Sequence, residues 1–363
     1  MFKIREKITN ITPYVPGKPV KEVERELGIK NSIKLASNEN AWGFSPKAKH
    51  AMDEAIKKAN MYPDGGSFYL RKRIAEFEAV SMENIVAGNG SIEVLELIMR
   101  LGLDDKTNVV SSQYAFAMYR IITEACGAEY RPTKAKNHMF DIRAIVDGCD
   151  KNTAIIVVDN PNNPTGTYLP FDEMMQLMEF AKKNNILLIS DEAYIEFVRA
   201  KDYKTMMSVF KEYESNLVIT RTFSKAYGLG GIRVGYGIAS REIIGTANKI
   251  REAFNVNVVA QDAATAALDD QDFVKETVKK THEGIDYFKT ELKKLGLNYL
   301  PTECSFVLIE VPEDGKIFFD KLLQRGIIVR PMQGYGLPRH IRLSVGTMEQ
   351  NKKVIETIRS IAG

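Results

Sequence analysis

Residues 221–237, RTFSKAYGLGGIRVGYG, place Lys225 directly after Ser224, behind an apolar run and ahead of a glycine-rich stretch. Most lysines are solvated, and an isolated Ser-Lys pair is usually part of a surface turn. A lysine amine that is desolvated, or that lies beside another cation, has a lowered pKa and becomes a nucleophile near neutral pH. The function of Lys225 therefore depends on which side chains the fold brings to it.

Several other polar residues also follow short apolar runs. In an open α/β sheet, ligands bind outside the carboxyl ends of the strands, so these residues are candidates for one common site. They are Asn89, Gly90 and Ser91 of GNGS, Tyr114 of NVVSSQYAF, Asn163 of NPNNPTG, Asp191 and Tyr194 of SDEAY, and Ser224 with Lys225. The set contains no Ser/His/Asp triad and no metal-ligand pattern, so we predict no metal site.

This combination suits a phosphorylated pyridine aldehyde. Such a cofactor requires an amine for covalent attachment, a carboxylate at its ring nitrogen, donors for its phenolic oxygen, a stacking ring and an anion cradle. GNGS precedes a helical pattern, SIEVLELIMRLGL, whose N-terminal N–H groups would form an anion site. The GLGG turn does not open a helix after a strand, so a dinucleotide site is weakly indicated.

Three segments follow one another along the chain: DNPNNPTG, SDEAYIEF and RTFSKAYGLGGIRVGYG. In sequence and in order they resemble motifs of the fold-type I (class I/II) pyridoxal-phosphate aminotransferases. YVPGKP, KLASNEN, YPDG and IRLSVGT resemble, more narrowly, the histidinol-phosphate aminotransferase family. The resemblance covers essentially the whole chain. It implies a fold-type I transferase with pyridoxal 5'-phosphate as cofactor.

The resemblance implies that Lys225 attaches to the cofactor and shuttles the substrate proton. Asp191 would pair with the ring nitrogen, and Tyr194 and Asn163 would donate to the phenolic oxygen. Alternatively, Asp191 caps a following helix and Tyr194 is a core residue.

For the cofactor phosphate and ring, the resemblance implies a second group of contacts. The phosphate would be bound by the turn Asn89, Gly90 and Ser91 together with Ser224 and Arg233, the pyridine ring would stack on Tyr114, and Tyr62 would reach the phosphate from the partner subunit. The active sites would then be shared within a homodimer.

For the substrate, the resemblance implies Arg342 of HIRLSVGT, Arg330 of GIIVRPM and Tyr14 on the N-terminal arm. Histidinol phosphate lacks the α-carboxylate that Arg342 would bind in related enzymes, so the two arginines would bind its phosphate. An exposed strand-end position for Arg330, and burial of Tyr14 under the arm, remain open alternatives.

Two positions depart from the family pattern. Ile92 stands where an aspartate is expected after GNGS, and Trp42, the only tryptophan, follows NEN where proline and an aromatic residue are usual. Trp42 would either narrow the substrate pocket or anchor the arm as a hydrophobic residue.

The predicted activity is a transaminase reaction in which L-histidinol phosphate and 2-oxoglutarate give imidazole acetol phosphate and glutamate, a step of histidine biosynthesis. Aromatic amino acids or other phosphorylated amines are alternative amino donors. A phosphoamino-acid decarboxylase is an alternative activity. A binding domain without catalysis, or a nucleotide-binding protein, would not require Lys225.

The elements that position these residues follow from the pattern of the chain. Short runs that are apolar at successive positions alternate with helical periodicity, which predicts an α/β domain with a mainly parallel sheet covered by helices. We expect an N-terminal arm at 1–30, a large cofactor-binding domain at 31–245 and a small α+β domain at 246–363, with the arm packed nearby. Helices are predicted near 19–27, 46–59, 67–79 and 271–295.

The composition is that of a globular chain of 363 residues with 27% charged residues and a net charge of +3. This charge is too small to indicate nucleic acid, and no apolar stretch is long enough for a membrane span. Three separated cysteines and no leader-like N-terminus favour a reduced, cytoplasmic protein.

Overall fold

The computed structural model describes residue 2 and residues 4–362, and these residues form twelve strands. They are β1 Ile33–Lys34, β2 Ile85–Gly88, β3 Asn108–Ser112, β4 Glu129–Thr133, β5 Thr153–Asp159, β6 Leu187–Asp191, β7 Leu217–Thr222, β8 Gly235–Ile238, β9 Phe306–Glu310, β10 Ile327–Ile328, β11 Arg330–Pro331 and β12 His340–Ser344.

The same residues form fourteen α-helices, joined in places by short 3₁₀ turns. The helices are α1 Glu6–Thr9, α2 Val20–Leu27, α3 Pro46–Ala55, α4 Phe68–Glu78, α5 Ser91–Gly102, α6 Ala117–Cys126, α7 Ile142–Gly148, α8 Phe171–Lys183, α9 Phe210–Tyr213, α10 Arg241–Ile250, α11 Val258–Leu268, α12 Gln271–Lys294, α13 Gly315–Leu323 and α14 Met348–Ala362. The four helices predicted from periodicity are confirmed as α2, α3, α4 and α12. Across the described residues, no helix is both long and apolar enough to cross a membrane.

Seven strands form the main sheet, in the order β2-β8-β7-β6-β5-β3-β4. Six of them run in one direction, and β8 is antiparallel to both of its neighbours. The inner strands β5, β6 and β7 are buried almost throughout, because helices cover both faces of the sheet. This explains why their sequences are apolar at successive positions, and the predicted α/β class is confirmed.

Glycines in β8 let helix α5 lie directly on the sheet. A Cβ atom at Gly235 would stand 2.5 Å from the backbone nitrogen of Ser91, and one at Gly237 would stand 2.5 Å from a methyl of Val94. Any larger residue would push the start of α5 away from the strand. The glycines of RVGYG therefore fix the position of the GNGS turn.

A smaller three-stranded antiparallel sheet, β11-β12-β9, packs with α12, α13 and α14. The strand β1 comes from the beginning of the chain and pairs in parallel with β10. Val23 of α2 and Leu35 also belong to this second hydrophobic cluster. Helix α2 of the arm therefore packs against the smaller unit.

The packing moves the division between the two units toward the C-terminus. The second half of α10 and all of α11, which were expected in the small domain, contribute Ala247, Ala260 and Leu268 to the core of the main sheet. Within α12, Val274 belongs to that core, whereas Ile285 belongs to the second cluster. We therefore propose a boundary inside α12, not at residue 245, because one long helix is shared by both cores.

Candidate active site

A cavity of about 210 Å³ opens at the carboxyl ends of β5, β6 and β7. This is where ligands bind in sheets of this kind. Nine of the predicted site residues line it: Tyr14, Ser91, Asn163, Asp191, Tyr194, Ser224, Lys225, Arg233 and Arg342. They come from both units of the fold and from the arm.

Lys225 lies in the turn after β7, and its amine has few partners. The nearest acceptor of Nζ is the carbonyl of Ser37 at 3.5 Å, and the ring of Tyr194 lies 5.7 Å away. Burial, reinforced by the guanidinium of Arg342, lowers the pKa of Lys225 to about 8. The amine is thus prepared to lose its proton near neutral pH, as a nucleophile requires.

Asp191 ends β6 with one oxygen satisfied and the other free. Its Oδ2 accepts a hydrogen bond of 2.8 Å from the hydroxyl of Tyr119, while its buried Oδ1 has no partner. Burial raises the pKa of this carboxyl, against the opposing hydrogen bond from Tyr119. A buried acceptor without a partner is costly, so Oδ1 suits a protonated ring nitrogen.

Tyr194 and Asn163 present donors to the same cavity. The hydroxyl of Tyr194 accepts a 2.7 Å hydrogen bond from Nδ2 of Asn38, which leaves its own proton free. Oδ1 of Asn163 accepts from Arg342, so the Nδ2 protons of Asn163 also remain free. Two free donors on the cavity wall suit a negatively charged oxygen.

Gly90, Ser91 and Arg233 lie together at one end of the cavity and could bind an anion there. Gly90 has φ +86°, and a Cβ there would stand 2.5 Å from the Arg233 guanidinium. Arg233 itself has φ +60°, a left-handed conformation that is costly for a non-glycine residue. Helix α5 begins at Ser91, which lines the same cavity as Arg233, so the N-terminus of the helix is available to an anion there. The strained backbone of Arg233 thus lies at the end of the cavity where a guanidinium and a helix N-terminus are close together.

Tyr114, which was predicted to stack on the pyridine ring, does not line the cavity. The structure places its ring outside the cavity, parallel to that of His138 at a centroid distance of 5.7 Å and packed against the cluster of Leu308 and Met332. Phe116, two residues later at the start of α6, lines the cavity instead. The chain turns between them, because Ala115 N–H bonds back to the carbonyl of Ser112.

Three other predicted residues lie outside the cavity. Asn89 is exposed, and its backbone N–H donates to the carboxylate of Glu93. Tyr62 is 82% exposed and stacks on Phe254 at 4.6 Å, so it does not reach the cavity of its own chain. The guanidinium of Arg330 lies 5.4 Å from the ring of Tyr14, in an adjacent groove of which Tyr14 forms a shared wall.

Arg342 of β12 is a buried cation that lines the cavity. Only 6% of it is exposed, and it donates to the carbonyl of Ala36 at 2.9 Å and to Asn163. Its Nε has no partner. Among the described residues, no carboxylate forms an ion pair with Arg342, which leaves its charge available to an anion.

Asp159, Tyr119 and Asn38 line the cavity but were missed from the sequence. Asp159 ends β5 as the direct register partner of Asp191 on β6, and burial raises its pKa to about 8. Its place at the end of an apolar run, directly before NPNNPTG, was a usable signal. Tyr119 and Asn38 gave no such signal, because their contacts are made across the fold.

The two departures from the family pattern have different positions. Ile92 lines the cavity as an apolar residue, so the hydrogen bond of an aspartate is absent there. Trp42 lies outside the cavity and packs against the second hydrophobic cluster. This favours the interpretation of Trp42 as an anchor over that of a residue that narrows the pocket.

The residues present fit pyridoxal phosphate. The unpartnered oxygen of Asp191, the free amine of Lys225 and the glycine turn under Arg233 supply an acceptor, a nucleophile and an anion cradle in one cavity.

The sequence matches the family "Aminotransferase class I and II" over residues 30–358. The chain belongs to this family, whose members depend on pyridoxal phosphate. The predicted family, fold class, transaminase activity and cofactor are confirmed.

Individual relatives are also similar over their whole length. The chain is 41% identical to histidinol-phosphate aminotransferase 2 of Carboxydothermus hydrogenoformans over 99% of both chains. It is 38% identical to histidinol-phosphate aminotransferase of Halalkalibacterium halodurans over 99% of this chain and 97% of the relative. The crystal structure of histidinol-phosphate aminotransferase from Sinorhizobium meliloti in complex with pyridoxal-5'-phosphate superposes with a TM-score of 0.88 at 26% identity, covering 99% of each chain.

Proposed function

We propose that this protein transfers the amino group of L-histidinol phosphate to 2-oxoglutarate and so acts in histidine biosynthesis. The two substrates would use one cavity in turn, in a ping-pong cycle. The proposal draws on the full-length similarity to histidinol-phosphate aminotransferases and on one feature of the substrate side.

That feature is a pair of arginines placed side by side. Arg330 of β11 and Arg342 of β12 are direct partners in an antiparallel pair, so their side chains leave the same face of the sheet. Among the described residues neither has a carboxylate partner, although like charges in opposed positions are destabilising. A dianionic phosphate would relieve this repulsion, and guanidinium groups bind phosphate through paired hydrogen bonds.

Tyr14 supports a small polar substrate at this place. Its ring lies between the cavity and the groove that contains Arg330, and it borders both. A substrate with its amine at Lys225 and its phosphate toward Arg330 would pass this ring. The arm would then close the site after the substrate has entered.

The cofactor contacts that we propose follow from the free groups on the cavity wall. Lys225 would hold the cofactor, and Asp191 would face its ring nitrogen. Tyr194 and Asn163 would donate to its phenolic oxygen, and Phe116, not Tyr114, would cover its ring. The phosphate would be bound by the turn of Gly90 and Ser91, by Ser224 and by Arg233.

The bound cofactor supplies an aldehyde for the incoming amine and a ring that withdraws electrons. The proton chemistry falls to Lys225, whose neutral amine takes the proton from the α carbon and returns it. With its pKa lowered to about 8, the amine is basic enough to accept this proton and weak enough to release it. Asp191 contributes a fixed negative charge in a buried place, where its effect is large.

An amino-donor screen with 2-oxoglutarate tests the proposal. Purified holoenzyme is supplied with histidinol phosphate, phenylalanine, tyrosine or small phosphorylated amines, and glutamate formation is measured. We expect the highest kcat/KM with histidinol phosphate. Turnover of phenylalanine that equals or exceeds that of histidinol phosphate would instead assign an aromatic aminotransferase.

Covalent attachment at Lys225 is tested separately. Borohydride reduction of the yellow holoenzyme, followed by peptide mass spectrometry, should place the cofactor on the peptide that contains Lys225. A modified lysine elsewhere in the chain would contradict the site.

We also propose that the protein is a homodimer in which Tyr62 reaches the partner's cofactor phosphate. Support comes from an exposed aromatic surface around Tyr62, formed with Phe254, Phe68 and Tyr69. Light scattering should give about twice the chain mass, and Tyr62→Phe should weaken cofactor binding without dissociating the dimer. A monomer that binds the cofactor tightly would contradict this arrangement. Cytoplasmic location stays a prediction from the composition.

A further inference from the structure

We propose that Asn38 is a positioning residue that forces the hydroxyl of Tyr194 to donate its proton into the active-site cavity. Asn38 lies in the KLASNEN segment, is 3% exposed and lines the cavity. It connects Tyr194, which follows β6, with Ser344 at the end of β12. This proposal rests on the proposed role of Tyr194 toward the phenolic oxygen of the cofactor.

Three hydrogen bonds define the arrangement. The backbone N–H of Asn38 donates to Oγ of Ser344 at 2.9 Å, and the Ser344 hydroxyl donates to Oδ1 of Asn38 at 2.8 Å. Nδ2 of Asn38 then donates to the hydroxyl oxygen of Tyr194 at 2.7 Å. All three residues are buried.

These bonds decide which way the Asn38 amide faces. The Ser344 oxygen already accepts the backbone N–H, and within the described part of the chain the only acceptor for its proton is Oδ1 of Asn38. If the amide were reversed, this buried hydroxyl proton would have no acceptor, which is unfavourable. The NH₂ group of Asn38 therefore faces Tyr194.

The direction of the Tyr194 proton follows. A tyrosine hydroxyl that accepts from an amide can donate its single proton to another group. No protein acceptor for this proton lies within hydrogen-bonding distance in the described residues, and the hydroxyl borders the cavity. Tyr194 is thus held as a donor toward a bound oxygen anion.

The backbone at Asn38 explains why asparagine suits this position. Its φ is +54°, in the left-handed region that asparagine and aspartate tolerate better than other non-glycine residues. Aspartate matches it in shape and backbone tolerance but can only accept when ionised. Asn38→Asp would therefore keep the bond from Ser344 and turn the Tyr194 proton away from the cavity.

The main test is Asn38→Asp, examined by the visible absorbance of the holoenzyme without substrate. Loss of the Tyr194 donor leaves the phenolic oxygen of the cofactor more basic, so the pH midpoint of the colour change should rise by roughly 0.5–1 pH unit, the size of one hydrogen bond. The dissociation constant of the cofactor from the apoprotein should rise as well. Asn31→Asp is the matched control, because Asn31 also lies in the left-handed region, with φ +60°, but is exposed. The pH midpoint of the colour change should not move in this variant.

A double-mutant cycle with Tyr194→Phe tests whether Asn38 acts through Tyr194. In the Tyr194→Phe background, Asn38→Asp should produce no further shift of the midpoint. Ser344→Ala, which frees the amide to reverse, should give a smaller rise in the same direction and serves if Asn38→Asp does not fold.

An unchanged midpoint in Asn38→Asp, or an equal shift with and without the Tyr194 hydroxyl, would overturn the proposal. Because the spectrum is read without substrate, these outcomes do not depend on whether histidinol phosphate is the donor. A holoenzyme without a pH-dependent colour change would instead count against the proposed role of Tyr194.

Discussion

Two groups of buried charged side chains lie at the same edge of the main sheet, and they differ in whether their cations are paired with carboxylates. Behind the sheet, Arg221 of β7 forms ion pairs of 2.7 Å with Glu78 and 2.8 Å with Glu192. In the cavity in front of it, Lys225 and Arg342 have no carboxylate partner among the described residues. Alternation along β7 separates the two groups, because Thr222 lines the cavity whereas Arg221 faces away.

The pairing of each cation indicates its role. Arg221 is 9% exposed, and its guanidinium also donates a hydrogen bond to the hydroxyl of Thr205. Its charge is therefore compensated within the fold. Arg342 is 6% exposed but is bonded only to a carbonyl and an amide. A buried cation without a counter-charge is expensive, and it is retained where an incoming anion completes it.

The largest expected effect is on stability, through Arg221. Arg221→Met would leave Glu78 and Glu192 buried without a counter-charge, which should lower the free energy of unfolding by about 3–5 kcal/mol in chemical denaturation.

The control for this variant is Arg131→Met. Arg131 also pairs with two carboxylates, Glu129 and Asp150, but on the surface, and its loss should cost less than about 1 kcal/mol. Equal losses in the two variants would contradict the distinction between a buried and an exposed cluster.

The second effect is on activity, through Arg342. Arg342→Gln should lower kcat/KM for the phosphorylated donor by roughly 10²- to 10³-fold, because truncating one side of a buried charged contact costs about 2–5 kcal/mol. The free energy of unfolding should hardly fall, since no carboxylate is stranded. Arg339→Gln, three residues earlier and exposed, is the matched control and should leave steady-state kinetics unchanged.

The third effect concerns the pH at which the cavity accepts its cofactor. Attachment requires the neutral amine of Lys225, whose pKa is lowered to about 8, so the neutral fraction rises as the pH approaches 8 from below. The rate of cofactor attachment to the apoprotein, followed by absorbance, should rise about tenfold per pH unit below pH 8 and level off above it. A rise that continues to pH 10 would indicate a lysine with an ordinary pKa.

The smallest effect marks the edge of the cavity. Phe116→Leu should weaken cofactor binding about fivefold, since an aromatic contact adds about 1 kcal/mol. Tyr114→Leu, only two residues away, should leave the dissociation constant of the cofactor unchanged. The opposite pattern would restore Tyr114 as the stacking residue.

Much of the fold and of the cofactor side followed from local patterns. Lys225, Asp191 and Asn163 each lie at or just after the end of a strand within a short motif, so chain order alone predicted them at one sheet edge. The choice between Tyr114 and Phe116 could not be made this way, because the turn after β3 decides which ring faces inward. The boundary that we propose inside α12 could not be predicted from the sequence either, since an apolar helix such as α11 fits either core.

Residues close together in the chain were enough to predict the α/β class, the pyridoxal-phosphate cofactor and Lys225 as the proposed point of attachment. The groups that complete the proposed site depend on contacts between distant parts of the chain. The opposition of Arg330 and Arg342 depends on strand register, and Asn38 meets Tyr194 and Ser344 across 156 and 306 positions. Such contacts are set by packing of the whole chain, and no local spacing encodes them.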